Sequence, residues 1–340
     1  MATRGYQSYR GRNHGKLALV IVLVLILLAA VGYLVAQEYM VYDDEGHRHL
    51  ELPFLKKGQT EQPQQPEDTT PDDVNLIIDE PERPLLKELH AHQLPDTVLT
   101  EDPSAVLAEH PEAVVIPVKL RDGTVTYDTQ TAARDTVTTG GPETLTNLKT
   151  LLSGDTWTVA RIACFADMDF ANAKPDEAGL LRTGDGWLWY DDDAACWLDP
   201  GKAAAREYLV QLCKECAELG FDEILLDYCT YPVHGRLDRI DYGSITNLTD
   251  TLSVFVEGVR EALPKTTALS VLVRDQVTAD ANDGGVTLAL LTEHFDRIYV
   301  DTDTVDAAAL QELLPADFDP VTRLVQVAAE SASSDSYVTR

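Results

Sequence analysis

Apolar and polar residues between Asp199 and Asp227 follow a helix-then-strand pattern. Asp199 and Pro200 are typical of a helix start, as N-cap and first helical residue. Apolar side chains then recur at spacings of three and four and predict one buried helix face, at Ala205, Leu209, Leu212, Cys216 and Leu219. Gly220 should end this helix, because glycine accepts a left-handed backbone. The apolar run 224–226 predicts a strand that is buried on both faces of a parallel sheet.

Strand and helix patterns alternate from about residue 85 to residue 327. Strands are expected at 86–94, 113–119, 156–165, 224–227, 268–273, 297–300 and 323–327. This alternation predicts right-handed crossovers and a parallel sheet, and its length favours an α/β fold of the (β/α)8 TIM-barrel type. The sequence pattern predicts seven strands. Residues from 331 onward are small and polar, so either the barrel is incomplete or the first strand is misassigned.

The N-terminal part has a different pattern. Residues 1–16 contain four basic residues and no acid, and residues 17–35 form a nineteen-residue run without a charge. A helix of that length spans the apolar core of a bilayer. The basic flank predicts a single-pass signal-anchor at 17–37, with the N-terminus in the cytoplasm and the rest outside the cell membrane. A cleaved signal peptide is the alternative, but the apolar run is long for one.

The composition changes again after the predicted membrane helix. Residues 38–84 are rich in Glu, Asp, Gln, Thr and Pro and show little periodicity, which predicts a disordered stalk. The expected barrel domain then occupies 85–330, and residues 331–340 are expected to form a tail.

The formal net charge of the chain is -30. Four of the 27 basic residues and no acid precede the membrane helix, so the exported part has a charge of 23 minus 57, or -34. This excess of acid argues against nucleic acid as a partner and against docking on anionic lipid. Of the five cysteines, Cys213 and Cys216 form a CxxC inside the helix pattern, where buried apolar residues are favoured over a redox or zinc pair. No cofactor or metal is expected.

The candidate functional groups lie at the C-terminal ends of the predicted strands. Asp227 has the side-chain parity of Leu225, so if Leu225 points into a barrel, Asp227 points into its mouth, where such folds hold their chemistry. The alternative is a carboxylate that only accepts loop N–H groups. The other candidates at the mouth are Lys119, Asp167, Tyr228, Asp275, Asp301 and Gln326.

Aromatic residues cluster in the loops around the fourth strand. Three of the four tryptophans, Trp187, Trp189 and Trp197, fall in one predicted loop, and Tyr228 and Tyr231 follow the strand. Flat apolar faces beside carboxylates suit a sugar, which presents a C–H face and hydroxyl edges. Equally, Trp187 and Trp189 could only pin a long loop to the barrel.

The segments WLDP, AELGFDEI and LDY, followed by an aromatic residue and proline, resemble the signature of a bacterial putative glycosyl hydrolase domain. That family pattern is roughly ELGFDEIQFDYVRFP and belongs to the TIM-barrel glycosidase superfamily. Weaker similarities at AVVIPVKLRDGTVTY, VARIACFADMDFA and RLVQ extend the resemblance to about residues 85–327. It implies a glycoside hydrolase acting on a polysaccharide or cell-envelope glycan, with Asp227 as the counterpart of the family's strand-four carboxylate, its nucleophile.

Several positions depart from the family pattern. Pro117, Ala166 and Thr230 stand where the pattern has Asp, Lys and Arg. A variant specificity or a catalytically inactive protein would both follow from such losses.

A glycosidase needs a second carboxyl group to protonate the leaving oxygen. Asp275 after the fifth strand and Asp301 at the end of the sixth are the candidates. Asp301 is slightly preferred, because Arg274 would instead hold Asp275 as an ion pair and keep it ionised.

Two other functions remain open from the sequence. The first is an inactive carbohydrate-binding or envelope protein on the same barrel, which would keep the aromatics and need no acid–base pair. The second is a metal-dependent hydrolase, because His90 and His92 share one face of the predicted first strand. Barrels of that kind also need histidines at the ends of strands five and six, where this chain has Arg274 and Asp301.

Overall fold

The structure is a computed structural model that describes residues 40–42, 48–50, 85–277, 284–329 and 334–340. It divides into two units, Met1–Leu76 and Ile77–Arg340. In the first unit, Met40–Tyr42 pairs antiparallel with Arg48–Leu50. The predicted membrane helix 17–37 and most of the predicted stalk lie outside the described residues. No helix in the described ranges is both long and apolar enough to cross a membrane.

The second unit is a closed barrel of parallel strands, which confirms the predicted fold class. Its strands are β1 His90–Gln93, β2 Ala113–Lys119, β3 Trp157–Ala163, β4 Glu223–Asp227, β5 Ala268–Val273, β6 Arg297–Asp301, β7 Leu324–Ala328 and β8 Tyr337–Thr339. Each strand pairs with the next along the chain, and β8 pairs with both β7 and β1. The barrel is therefore closed without a free sheet edge.

The eighth strand corrects the expectation that 331–340 is a tail. Tyr337–Thr339 is only three residues long, and Val338 at its centre is buried against the barrel interior. Serine-rich flanks and a single inward apolar residue are too little for a recognisable strand pattern. The first strand was correctly placed within 86–94, although it is shorter than expected.

Helices cover the outside of the barrel. They are α1 Ser104–Ala108, α2 Pro142–Leu151, α3 Met168–Ala173, α4 Ala203–Leu219, α5 Leu248–Ala262, α6 Leu288–His294, α7 Ala307–Leu313 and α8 Pro320–Arg323. Strands such as β2 and β5 are buried along their whole length, because one face packs inside the barrel and the other packs under these helices.

Helix α4 begins later than its sequence predicts. Asp199 accepts a hydrogen bond from the Gly201 N–H at 2.8 Å and shapes a turn, and the helix starts at Ala203. Its end is as expected, because Gly220 adopts a left-handed conformation with φ of 108° and donates its N–H back to the last turn.

A buried polar layer lies inside the barrel near the N-terminal ends of the strands. Glu223 on β4 and Arg297 on β6 form an ion pair of 2.7 Å with no exposed side-chain surface. Ser270, Tyr299 and Trp157 donate further hydrogen bonds to Glu223. These partners compensate the buried charges, so this layer fills the N-terminal end of the barrel interior. A functional site is therefore expected at the opposite, C-terminal end of the strands.

Candidate active site

Asp227 ends β4 and points into the barrel, as its parity with Leu225 predicts. Its carboxylate is completely buried. Arg161 approaches one oxygen with its Nε at 2.9 Å, and Arg274 approaches the other with its Nε at 2.7 Å. Burial opposes the charge of Asp227, but the two guanidinium groups outweigh it and hold the pKa of the carboxyl below its usual value. Asp227 is therefore an ionised carboxylate.

Arg274 also joins Asp227 to Asp301. Its Nη1 lies 2.7 Å from an Asp301 oxygen, while Arg340 contacts the other oxygen of Asp301. The two predicted catalytic carboxylates therefore lie on either side of a single guanidinium group. This corrects the expectation that Arg274 pairs with Asp275. Arg274 has the inward parity of Leu272, so it meets the barrel carboxylates instead of its chain neighbour.

Tyr228 lies directly after Asp227 in an uncommon backbone conformation. Its φ is 49°, a value that costs energy for a residue with a side chain. The ring packs under the Arg274 guanidinium at 4.9 Å and meets Trp197 edge-on at 6.0 Å. Burial raises the pKa of the Tyr228 hydroxyl, although Arg274 opposes this. The strained turn thus places an aromatic face beside the buried charges.

A cavity of about 300 Å³ opens at the C-terminal ends of β4 and β5, and we call it the mouth cavity. Its walls include Trp197, Tyr228, His234, Arg274 and Asp275. The Asp275 carboxylate is partly exposed and lies 2.9 Å from His234 Nε2. Aromatic faces, a guanidinium and an accessible carboxylate–imidazole pair therefore line one space.

Asp191 completes another wall of the mouth cavity and was not predicted as a site residue. It accepts hydrogen bonds from the Trp197 indole N–H at 2.9 Å and the Ala195 N–H at 3.0 Å, and it pairs with Arg121. Burial alone would raise the pKa of Asp191, but the Trp197 hydrogen bond and Arg121 lower it overall. The run of three aspartates at 191–193 within the aromatic loop was the available sequence clue.

Lys119 and Asp167, predicted to bind substrate, instead form a buried ion pair of 2.9 Å. Asp167 also accepts the Phe170 N–H at 2.8 Å and so caps helix α3. Burial raises the pKa of Asp167 although Lys119 opposes this. Neither side chain reaches solvent, so this pair supports the loop after β3 and does not contact a ligand in this conformation.

The remaining predicted site residues are dispersed. Trp197 lines the mouth cavity, but Trp189 is 1% exposed and donates its indole N–H to the Arg236 carbonyl, and Trp187 is 70% exposed outside that cavity. Tyr231 is buried against Tyr242, and Gln326 is half-buried on β7 beside β8. Of the three tryptophans that were predicted from the sequence as candidates to bind a sugar beside the carboxylates, Trp187 and Trp189 therefore lie outside the mouth cavity.

The two histidines of β1 lie on the outer side of the barrel. Ala91 between them belongs to the inner cluster, so His90 and His92 have the opposite parity. His90 lies 3.4 Å from Glu112, and His92 contacts Thr339 at 2.6 Å. This placement corrects the metal hypothesis, which needs both imidazoles inside the mouth. Among the described residues no group of three or more His, Cys, Asp or Glu side chains could hold a metal ion.

Comparison with known proteins identifies one family. The family described as "putative glycosyl hydrolase domain" matches residues 104–300, more than half of the chain. No curated protein matches the chain.

Several solved structures resemble the chain. A hypothetical protein from Ruminiclostridium thermocellum is 27% identical, with a TM-score of 0.45, over 53% of this chain and 96% of its own. Ega3 of Aspergillus fumigatus, solved with galactosamine, is 12% identical with a TM-score of 0.41, over 76% of this chain and 93% of its own. The chitinase RmChi1 of Rhizomucor miehei is 13% identical with a TM-score of 0.41, over 71% and 68% respectively.

Proposed function

Because this chain belongs to the family of putative glycosyl hydrolase domains, we propose that it cleaves glycosidic bonds of a polysaccharide or cell-envelope glycan in the mouth cavity. The observation that supports this most directly is the ionised Asp227, held by Arg274, which itself lines the cavity. Trp197 and Tyr228 offer aromatic faces on which a sugar ring can stack.

The chemistry requires two groups with different charges. One carboxylate must stabilise or attack the positively charged sugar carbon, and another group must protonate the leaving oxygen. Asp227 suits the first task because Arg161 and Arg274 keep it ionised. Since Asp227 has no exposed surface, Arg274 or Tyr228 must shift when the sugar enters.

Asp275 is the better proton donor of the two candidates. Asp301 is almost fully buried, and Arg274 and Arg340 each hold one of its carboxylate oxygens, so neither oxygen is open to a substrate. Asp275 instead lies on the cavity wall, with a partly exposed carboxylate 2.9 Å from His234 Nε2, so this pair can reach the oxygen of a sugar bound in the mouth cavity. This proposal reverses the sequence-based preference for Asp301.

A non-catalytic carbohydrate-binding protein is the second candidate. The specific observation in its favour is that guanidinium groups occupy both oxygens of Asp227, which leaves the carboxylate without an open position. The polar positions lost at Pro117, Ala166 and Thr230 agree with such a role.

Release of reducing sugar ends from a panel of polysaccharides tests the proposal. The wild-type chain should release them, and Asp227→Asn and Asp275→Asn should each lower the rate by about a hundredfold or more while sugar binding persists. Asp317→Asn, at an exposed aspartate outside the cavity, is the matched control. Binding of a polysaccharide by calorimetry without any product would replace hydrolysis with the binding function.

We further propose that residues 17–37 anchor the chain in the cell membrane, with the barrel outside the cytoplasm. This rests on the uncharged run 17–35 and its basic flank alone. The full chain should sediment with membranes and its barrel should be cleaved by protease added outside, whereas a chain lacking residues 1–37 should do neither. Equal solubility of the two chains would refute the anchor.

A further inference from the structure

A second cavity, of about 210 Å³, lies beside the mouth cavity and has the opposite charge character. We call it the arginine cavity. Its lining comprises Arg182, Arg236, Arg239, Asp185, Trp189 and Tyr190 together with Thr183. Three arginines against one aspartate are unusual in a chain whose net charge is -30, where the mouth cavity has two arginines and four aspartates.

Two segments that follow neighbouring strands form this cavity. The first is a hairpin, in which the Arg182 N–H donates to the Trp187 carbonyl at 2.7 Å. The second is the stretch that includes the turn Leu237–Arg239, and the Thr183 N–H donates to the Arg239 carbonyl at 2.8 Å. Backbone hydrogen bonds therefore fix the relative positions of the arginines.

The arginines keep donors available for a ligand. Arg239 approaches Asp238 only at 3.9 Å, and both side chains are exposed. Arg182 pairs with Asp185 through Nη2, but its buried Nε has no hydrogen-bond partner among the described residues. A guanidinium has five N–H donors in a planar fork that matches a carboxylate, sulfate or phosphate. Arg236 already holds Asp238 through its Nε at 3.1 Å and its Nη2 at 3.3 Å. The donors left for an anion are therefore the Arg239 fork and the remaining N–H groups of Arg182 and Arg236.

An exposed aromatic ring lies beside the arginines of this cavity. Tyr190 is 53% exposed and its ring lies 5.7 Å from the Arg182 guanidinium, and Trp187 at the other end of the hairpin is 70% exposed. An exposed ring beside cationic donors fits a sugar with an acidic substituent, since the ring takes the C–H face and the guanidinium takes the charge.

The two cavities adjoin along both segments. In the first segment, Tyr190 lines the arginine cavity and the next residue, Asp191, lines the mouth cavity. In the second segment, Arg236 lines the arginine cavity and His234, two residues earlier, lines the mouth cavity. A polysaccharide with one unit in the mouth cavity can therefore place a neighbouring unit against the arginines. We propose that the arginine cavity is a subsite for a sugar unit that carries a carboxylate, sulfate or phosphate, so that the substrate class is an acidic polysaccharide. This rests on the proposed function for the mouth cavity.

Direct binding tests the subsite without turnover. The full chain is titrated, by calorimetry and by tryptophan fluorescence, with a galacturonate oligosaccharide, its neutral methyl ester, and sulfated and phosphorylated oligosaccharides. At least one acidic ligand should bind about tenfold or more tightly than the methyl ester, and salt should weaken that preference. Which acidic ligand binds identifies the substituent.

Variants then locate the binding. Arg236→Gln with Arg239→Gln should abolish the preference for the acidic ligand, whereas Arg134→Gln, at an exposed arginine paired with Asp128 elsewhere, should leave it unchanged. Equal affinity for all ligands, or an unchanged preference in the double variant, would overturn the subsite. Arginine-dependent binding without any hydrolysis would refute only the proposed function, and hydrolysis of neutral glycans without a charge preference would refute only the subsite.

Discussion

The buried negative charge of Asp227 persists because Arg161 and Arg274 surround it. Removing one member of a buried ion group leaves the others uncompensated, which is more costly than losing the contacts alone. Asp227→Asn should therefore lower the free energy of unfolding by about 3 kcal/mol at pH 7. Urea denaturation against wild type measures this, with Asp317→Asn as the control.

The same substitution has a pH signature. The pKa of Asp227 is lower in the folded state than in the unfolded state, so ionised Asp227 stabilises the fold. This stabilisation is complete above the unfolded-state pKa of about 3.9, and it is lost as the pH falls through the folded-state pKa. The stability difference between wild type and Asp227→Asn should thus be constant from pH 7 to pH 5 and shrink only below about pH 4. A difference that disappears between pH 7 and pH 5 would mean that Asp227 is not held ionised.

Residue positions in the site were partly predictable. Parity within β4 gave the direction of Asp227, since it depends only on the period of a strand. Its partner Arg161 was missed, although it shares the inward parity of Trp157 and Val159. Which charges pair across strands depends on register and on neighbours far apart in sequence, so the partner of Arg274 could not be read from its adjacent Asp275.

At the scale of elements, long periodic segments were predictable and short ones were not. Helix α4 has five apolar positions on one face and a glycine at its end, so its pattern is redundant. Strand β8 has one inward apolar residue, and only the closure of the barrel shows that it is a strand. Tertiary pairing supplies what the local sequence lacks.

Substituting alanine at two glycines tests the effect of backbone conformation separately from the effect of space for a side chain. Gly220 has φ of 108° with open space where a Cβ would lie, so Gly220→Ala should cost about 1 kcal/mol from the backbone alone. Gly258 lies within helix α5, and a Cβ there would meet Val210 Cγ2 at an ordinary 3.7 Å, so Gly258→Ala should gain up to about 1 kcal/mol. Chemical denaturation should give opposite signs, and equal signs would contradict the cap assignment.

Closure by β8 is testable with a matched pair of valines. Val338 is buried in the barrel interior, whereas Val254 on α5 is more than half exposed. Val338→Asp buries an uncompensated charge between β1 and β7 and should cost more than about 4 kcal/mol, enough to open the barrel. Val254→Asp should change stability by no more than about 0.5 kcal/mol. Similar melting temperatures for the two variants would mean that β8 does not close the barrel.

The net charge of the whole molecule and its buried ion pairs affect stability differently when salt is added. Ion pairs such as Arg297 with Glu223 have no exposed surface, so salt screens them little. The excess of exposed acid behind the net charge of -30 repels itself, and this repulsion destabilises the compact state. Salt should therefore relieve the repulsion and leave the buried network intact.

Thermal denaturation of the full chain at pH 7 should accordingly show a melting temperature that rises by a few degrees as NaCl increases from about 0.01 M to about 0.3 M, because the Debye length falls well below the spacing of surface charges. The control is the same titration near the isoelectric point of about 4.4, where the net repulsion vanishes and the rise should disappear. A melting temperature that falls with salt at pH 7 would show that exposed ion pairs, such as Arg121 with Asp193, stabilise the fold more than the acidic excess destabilises it.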